Sequence, residues 1–371
     1  MNPTAIVPEL DPIPLPGPIW LLKFLLLLTF FLHLVAMNLL VGGAVQGVIA
    51  RVGISHPQLG GHRKRFLEEI IGAQPTLIAA TVTLGVAPLL FIQVLYGHLV
   101  YTAGIALGWF WWTVILVLIL AYSLYYGLKF RRGGERAPSL LGLLVSGVAL
   151  LWISFILSNK FNLAAQPERF TSLILGSSGG GHLNWADPTT FPRWLHIVIG
   201  ALAVSGIGTM WRGRWIWTKD PFYGDYLLNL GYKYFSYPTM ANILVGFIFM
   251  MTLPRPIMLL LMGQGFGETA MWLVGLGGAI WAILLLKRAT IAPRSIALPL
   301  GTAAVAVTLI SMVLLRDMVR SAYQKPYFTL AQSSVQTLWS PLMVFLVCFI
   351  IGLGVFYWLI RVYYLSPQRR G

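Results

Sequence analysis

The chain has 371 residues, 57% of them hydrophobic and 10% charged, with a formal net charge of +15. A soluble domain carries about 25% charged residues, so lipid is the solvent for most of this chain and an ordinary soluble fold is excluded. The basic residues fall mostly in short stretches between apolar segments, which ties them to membrane topology and not to nucleic-acid binding.

Residues 1–17 are Pro-rich and hold two acids, Glu9 and Asp11, with no base. That is the reverse of the basic leader of a cleavable signal, so none is expected. The apolar runs then predict nine helices, near 19–50, 73–97, 105–129, 138–158, 191–211, 237–259, 268–286, 295–315 and 338–361. Leu99–Leu128 and Trp339–Ile360 contain no charge at all, and roughly 20 apolar residues suffice to cross a bilayer core. The first span exceeds that length, so it is expected to tilt or protrude. The expected fold class is all-α: a polytopic membrane helix bundle forming one membrane domain.

Of the Lys and Arg residues, 18 fall on one set of connections and 8 on the other. The excess of positive charge on cytoplasmic loops puts the N-terminus outside and the C-terminus in the cytoplasm, which an odd helix count allows. The expected location is a bacterial or archaeal cytoplasmic membrane. Two outer segments are long, 159–190 and 316–337, and the first contains the run Gly176–Gly181, a flexible linker by composition. The single cysteine, Cys348, lies in an apolar run. It excludes a disulfide framework, a Cys-ligated cluster and a covalent CxxCH haem site in this chain, and reads as a packed residue.

Ionisable groups in membrane spans are costly and tend to mark function. His33 shares a face of the first span with Met37, with Gly42 and Gly43 further along. It reads either as a haem-iron ligand, the glycines leaving room for a flat macrocycle, or as an interhelical hydrogen bond. His98 ends the second span on the outer side. His196 lies in the fifth span with Gly200 at i+4 and Arg193 at i−3. A guanidinium there suits a haem propionate, and the alternative is a polar packing contact. Met271, at a similar depth, is a candidate axial sulfur or a packing residue. Arg316, Asp317 and Arg320 close the eighth span, as a surface ion pair or as an anchor for propionates or an acidic partner. His56, His62 and His182 read as loop residues, and there is no HExxH or Cys/His cluster.

Four stretches together resemble subunit I of the cytochrome bd quinol oxidases. His33 followed by Gly42 is similar to that family's first-helix haem ligand. Leu84-Gly85-Val86-Ala87 through Gln93-Val94-Leu95-Tyr96-Gly97 resembles its second helix. Leu150-Leu151-Trp152-Ile153 running into Asn159 resembles the stretch before its outer loop. Arg193-Trp194-Leu195-His196 looks like the start of the helix whose His binds the low-spin haem b. The resemblance implies nine helices with an outer N-terminus, His33 and His196 as haem ligands, and Met271 as the partner of His196. It divides the chain into a bd-like five-helix haem-binding part, 19–211, and four further helices, 237–361.

The departures are specific. Gln93 stands where the family has an acid of the oxygen-reducing site. Trp109, Phe110, Trp111 and Trp112 occupy the place of proton-channel glutamates, and Ser311 and Met312 that of a haem-binding Glu. The outer quinol-binding loop is short at Arg255–Gly267, and every Asp and Glu is expected in a loop or at a span end. The expectation is a haem b membrane subunit of a respiratory complex, with one to three haems. It would be an oxidoreductase subunit of the quinol:cytochrome c type, passing electrons between the quinone pool and an outer c-type cytochrome. His98, without a counterpart in the oxidase motif, would ligate a haem at the outer edge. The alternatives are a bd-type quinol oxidase that reduces oxygen, and a haem-free anchor or transporter. Against a transporter stands Pro88 as the only proline expected deep in a span.

Overall fold

The computed structural model describes residues 9–10, 13–131, 138–175 and 181–362. Arg132, Arg136, Arg369, Arg370 and the run Gly176–Gly180 lie outside the described residues. Among the described residues, nine helices are long and apolar enough to cross a membrane, and the only β-type pairing is an isolated bridge between Leu15 and Val335. The protein is an all-α, multi-pass helix bundle. The nine helices are α1 (Ile19–Val52), α2 (Gly60–Leu107), α3 (Trp109–Phe130), α4 (Leu140–Ala164), α5 (Thr190–Trp217), α6 (Pro221–Thr252), α7 (Phe266–Ile291), α8 (Ala297–Gln324) and α9 (Trp339–Ile360).

α2, α6 and α8 differ most from the hydropathy expectation, each for a local reason. α2 begins 13 residues before the predicted 73, at Gly60, and runs on to Leu107 with a break at Tyr96. Its start carries Arg63, Lys64, Arg65, Glu68 and Glu69, which depress hydropathy. Yet Phe66, Leu67 and Ile71 are buried on one face, which makes an amphipathic helix. α6 begins at Pro221, not 237, because the Asp220 side chain accepts a hydrogen bond from the Tyr223 N–H (3.2 Å) and Pro221 takes the first helical position. It stops at Thr252 because Pro254 follows, so the predicted 237–259 breaks into α6, a short helix Arg255–Leu259 and a turn through Gly263 at φ +118°. α8 continues to Gln324, which makes a helix of the expected loop at Arg316–Arg320. Pro75 and Pro238 join Pro88 inside helices, so Pro88 is not alone there.

Glycines set the closest helix approaches. Gly206 and Gly213 on α5 meet Gly231 and Gly224 on α6. A Cβ at Gly206 would lie 2.6 Å from the Gly231 carbonyl oxygen, and one at Gly213 2.9 Å from that of Gly224. Both pairs are seven residues apart, so one face of each helix is stripped of side chains and the backbones touch. α1 packs on α5 where Gly42 faces Ala201 and Ser205. Beside that contact, Gln46 Nε2 donates to Ser205 Oγ (2.9 Å) and Thr209 Oγ1 donates to Gln46 Oε1 (3.0 Å). The expected room for a macrocycle beside Gly42 and Gly43 is therefore absent: α5 fills the first position and Gln74 packs on the second.

Candidate functional site

The end of the bundle where α1, α5 and α9 begin and α2, α4 and α8 stop gathers most of the singled-out residues. His33 projects from α1 toward α2, where Gly85 makes room for the ring: a Cβ there would lie 2.9 Å from both Cε1 and Nδ1 of the imidazole. Nδ1 of His33 is 2.9 Å from the Thr81 carbonyl oxygen. A carbonyl only accepts, so Nδ1 carries the proton, and the lone pair of a neutral ring is left on Nε2. That is how metal-binding histidines are held, with one nitrogen fixed by a backbone carbonyl and the other bare.

α5 presents Arg193, His196 and Gly200 on one face to Phe249, Gly246 and Asn242 of the antiparallel α6. The Arg193 guanidinium lies 5.1 Å over the Phe249 ring. A Cβ at Gly246 would be 3.2 Å from His196 Cε1, and one at Gly200 3.3 Å from Asn242 Nδ2. Along this seam, Asn242 Oδ1 and Nε and Nη2 of Arg193 are buried without a hydrogen-bond partner, and His196 Nδ1 has no partner in good geometry although the imidazole interacts with the Asn242 backbone. Buried polar atoms are nearly always paired, and an unpaired guanidinium costs more than an unpaired amide. Three orphaned atoms on one seam are therefore an arrangement that a polar ligand would complete.

α8 adds the remaining charge. Arg316 lies 4.6 Å over the ring of Phe30 on α1, and Phe30 is 6.5 Å from the His33 ring. Arg193 and Arg320 are near enough to Arg316 to repel it. Asp317 is buried and bridges Lys23 of α1 (2.8 Å) and Arg320. Arg320 also donates to the Tyr96 hydroxyl (3.2 Å), at the break in α2. Asp317 thus lies inside a helix, not in a loop or at a span end. Lys23, Arg193, Arg316 and Arg320 face this one carboxylate and Asp187, which is itself within 3.9 Å of Arg169. The cluster holds more cation than anion.

Asp187 sits outside the spans and locks the connection from α4 to α5. It accepts from Gln166 (2.8 Å), from the Thr189 hydroxyl (2.6 Å) and from Asn162 (2.5 Å). Burial pushes its carboxyl upward, but the hydrogen bonds of Thr189 and Gln166 and the charge of Arg169 outweigh that and hold it below the usual carboxylate range. Part of the expected flexible loop is thus tied down: Asn159 Oδ1 also accepts from the Asn184 N–H (2.9 Å).

Met271, His98 and His182 lie at the same end but outside these contacts, and His56 and His62 lie at the opposite end. His98 is half-buried with its ring edge-on to Phe328 (4.7 Å), after the break in α2. Met271 packs on the cluster of Met250, Leu253 and Leu315 that also takes in Phe249. His56 is an exposed residue of the turn between α1 and α2, as expected, and its Nδ1 accepts from the N–H groups of Gln58 and Leu59 (3.3 Å each). His62 lies in α2 and stacks on Tyr223 and Tyr226 (5.5 and 5.1 Å). The His182 N–H donates to the Ala106 carbonyl (2.9 Å).

Lys23 and Lys160 are among the eight bases assigned to the outer side from the sequence, with no role there. Lys23 is the ion-pair partner of Asp317, and Lys160 is buried in α4 with its ammonium 3.5 Å from the Trp111 ring. No periodicity signals either contact, because each joins segments far apart in the chain. Among the described residues, no three of His, Cys, Asp and Glu gather as a metal site. No family model and no curated protein matches this chain.

Proposed function

We propose that this protein is a haem b-binding membrane subunit that passes electrons between the quinone pool and a c-type cytochrome on the outer side of a cytoplasmic membrane. The observation that carries the reading is the α5 seam, where the Arg193 Nε and Nη2 are buried without partners one helical turn from the buried His196 imidazole. Haem b offers an iron and two carboxylates, which match an imidazole and an excess of guanidinium. His33 supports it independently, its Nε2 left bare by the hydrogen bond to Thr81. In this reading His33 and His196 hold iron, Arg193 and Arg316 hold propionates, and Met271 and His98 are the further ligand candidates. The bound haem would supply one-electron redox chemistry. The chain's own residues bind it, orient it and keep water from it.

The likeness to cytochrome bd subunit I adds the topology: N-terminus outside, C-terminus in the cytoplasm, and the haem-binding end on the outer side. Lys and Arg abundance at the opposite end agrees with that orientation. Gln93, in place of an acid, argues against oxygen as the acceptor. The test is turnover by the purified full chain with its native partners: quinol-dependent reduction of a c-type cytochrome, with oxygen uptake followed in parallel. Cytochrome reduction without oxygen uptake is the expected result. Oxygen uptake alone would make the protein a terminal oxidase, and neither activity in haem-loaded protein would remove the electron-transfer reading.

A further inference from the structure

At the opposite end of the bundle, a cleft of about 330 Å³ opens between α1, the start of α2 and α6. Its lining combines charged and apolar residues. Arg63, Lys233 and the tyrosines Tyr226 and Tyr234 supply its polar groups, and Ile49 and Pro238 are among its apolar walls. No carboxylate lines it. Several acids on the same helices are engaged elsewhere: Glu69 by Arg212 and Arg65, Asp220 by Arg65, and Asp225 by the Trp217 indole N–H. Arg63 gives an N–H to the Gly53 carbonyl (2.9 Å) and hydrogen-bonds the Tyr226 hydroxyl, which fixes the guanidinium while its fork of five donors keeps some for a ligand. Lys233 is exposed and makes no ion pair among the described residues.

The depth of the cleft is readable from the chain. Lys233 is the last charge on α6, and the 19 residues from Tyr234 to Thr252 carry none. Nineteen helical residues rise about 28 Å, close to the ~30 Å of a bilayer core. Lys233 therefore marks the boundary of the core, with Arg63 on its aqueous side and Pro238 within it. Two unpaired cations and tyrosine hydroxyls at headgroup level, above an apolar trough, match one ligand chemistry: a phosphate with no compensating ammonium, attached to acyl chains.

We infer that this cleft binds one anionic phospholipid, with its phosphate between Arg63 and Lys233 and an acyl chain along Ile49 and Pro238. The inference is independent of haem. A neutral-headed quinone would leave both cations uncompensated, and a zwitterionic lipid would add a third positive group to them.

The test is native mass spectrometry of the full chain released from detergent with phosphatidylglycerol or phosphatidylcholine of matched chains. Wild type should retain phosphatidylglycerol in preference, and Lys233→Gln and Arg63→Gln should each weaken it about fivefold. Lys233 has no structural partner, so its variant stays informative if Arg63→Gln fails to fold. Equal retention of the two lipids, or full phosphatidylglycerol binding by Lys233→Gln, would overturn the inference. So would displacement of the lipid by millimolar inorganic phosphate, which marks a free-phosphate site, or by decylubiquinone, which marks a quinone site.

Discussion

The imidazole Nδ1 of His33 and the carbonyl oxygen of Thr81, 48 residues apart in the chain, are 2.9 Å apart across α1 and α2. Gly85, one turn after Thr81, is what lets the ring lie there. The contact sets both the tautomer of His33 and the side from which Nε2 is reached.

Gly85→Ala is therefore expected to disturb the His33 site. The new methyl would lie 2.9 Å from two ring atoms, and overpacking of this kind costs about 1–3 kcal/mol. Thermal unfolding of the full chain should show that loss, along with a reduced haem content. Gly277→Ala, with nothing within 4 Å of the new methyl, is the control and should be neutral or stabilising by up to ~1 kcal/mol. Equal behaviour of the two variants would mean that the His33 ring does not depend on Gly85.

Arg193 yields a prediction whose sign changes with loading. Its Nε and Nη2 have no acceptor, and only the charge of Asp187 offsets its own, so in haem-free protein Arg193→Met removes a buried cation with unmet hydrogen bonds and should leave stability unchanged or raise it. In haem-loaded protein the same change removes a propionate partner and should destabilise. Melting temperatures of both forms decide it, and a loss in the haem-free form would show that Arg193 is satisfied without a ligand.

Asp187 makes stability depend on acid. Against the upward push of burial, its folded-state pKa is held below the ordinary carboxylate value by the hydrogen bonds of Thr189 and Gln166 and the charge of Arg169. Its contribution is then fully present above the unfolded value of about 3.9 and is lost as pH falls through the lower folded one. Asp187→Asn should be less stable than wild type at pH 7 by about 1–3 kcal/mol, and the gap should close below about pH 4. A gap that holds constant with pH would mean that the carboxylate's charge is not what stabilises the connection.

Gly206→Ala should separate α5 from α6. Its methyl would lie 2.6 Å from the Gly231 carbonyl oxygen and 2.7 Å from the Phe235 nitrogen, both backbone atoms that cannot rotate away. A cost of about 1–3 kcal/mol is expected, read as a lowered melting temperature. Gly147→Ala, in open space, should show no such loss.

The amount of structure legible in the chain varied with the kind of signal. α3 and α9 stand out because charge-free runs have only one solution in lipid. The starts of α2 and α6 did not, since Glu68, Glu69, Asp225 and Lys233 interrupt hydropathy without interrupting a helix. The α6 start did carry a local signal in Asp220-Pro221, a cap followed by proline. For the candidate site, His33, His196 and Arg193 could be singled out as ionisable groups in apolar surroundings. Thr81, Gly85, Gly246 and the pair Lys23–Asp317 could not, because their meaning lies in which helices meet. Gly42 misled for the same reason: a small residue leaves space for a ligand or for a neighbouring backbone, and here it is the backbone of α5.

The most direct measurement is a reduced-minus-oxidised optical spectrum of the purified full chain, with pyridine haemochrome quantification, in wild type, His33→Ala and His196→Ala. The account predicts haem b bands in wild type that fall in each variant, with a different band diminished in each. Well-folded wild-type protein without haem bands, or bands that both variants keep at full strength, would contradict it.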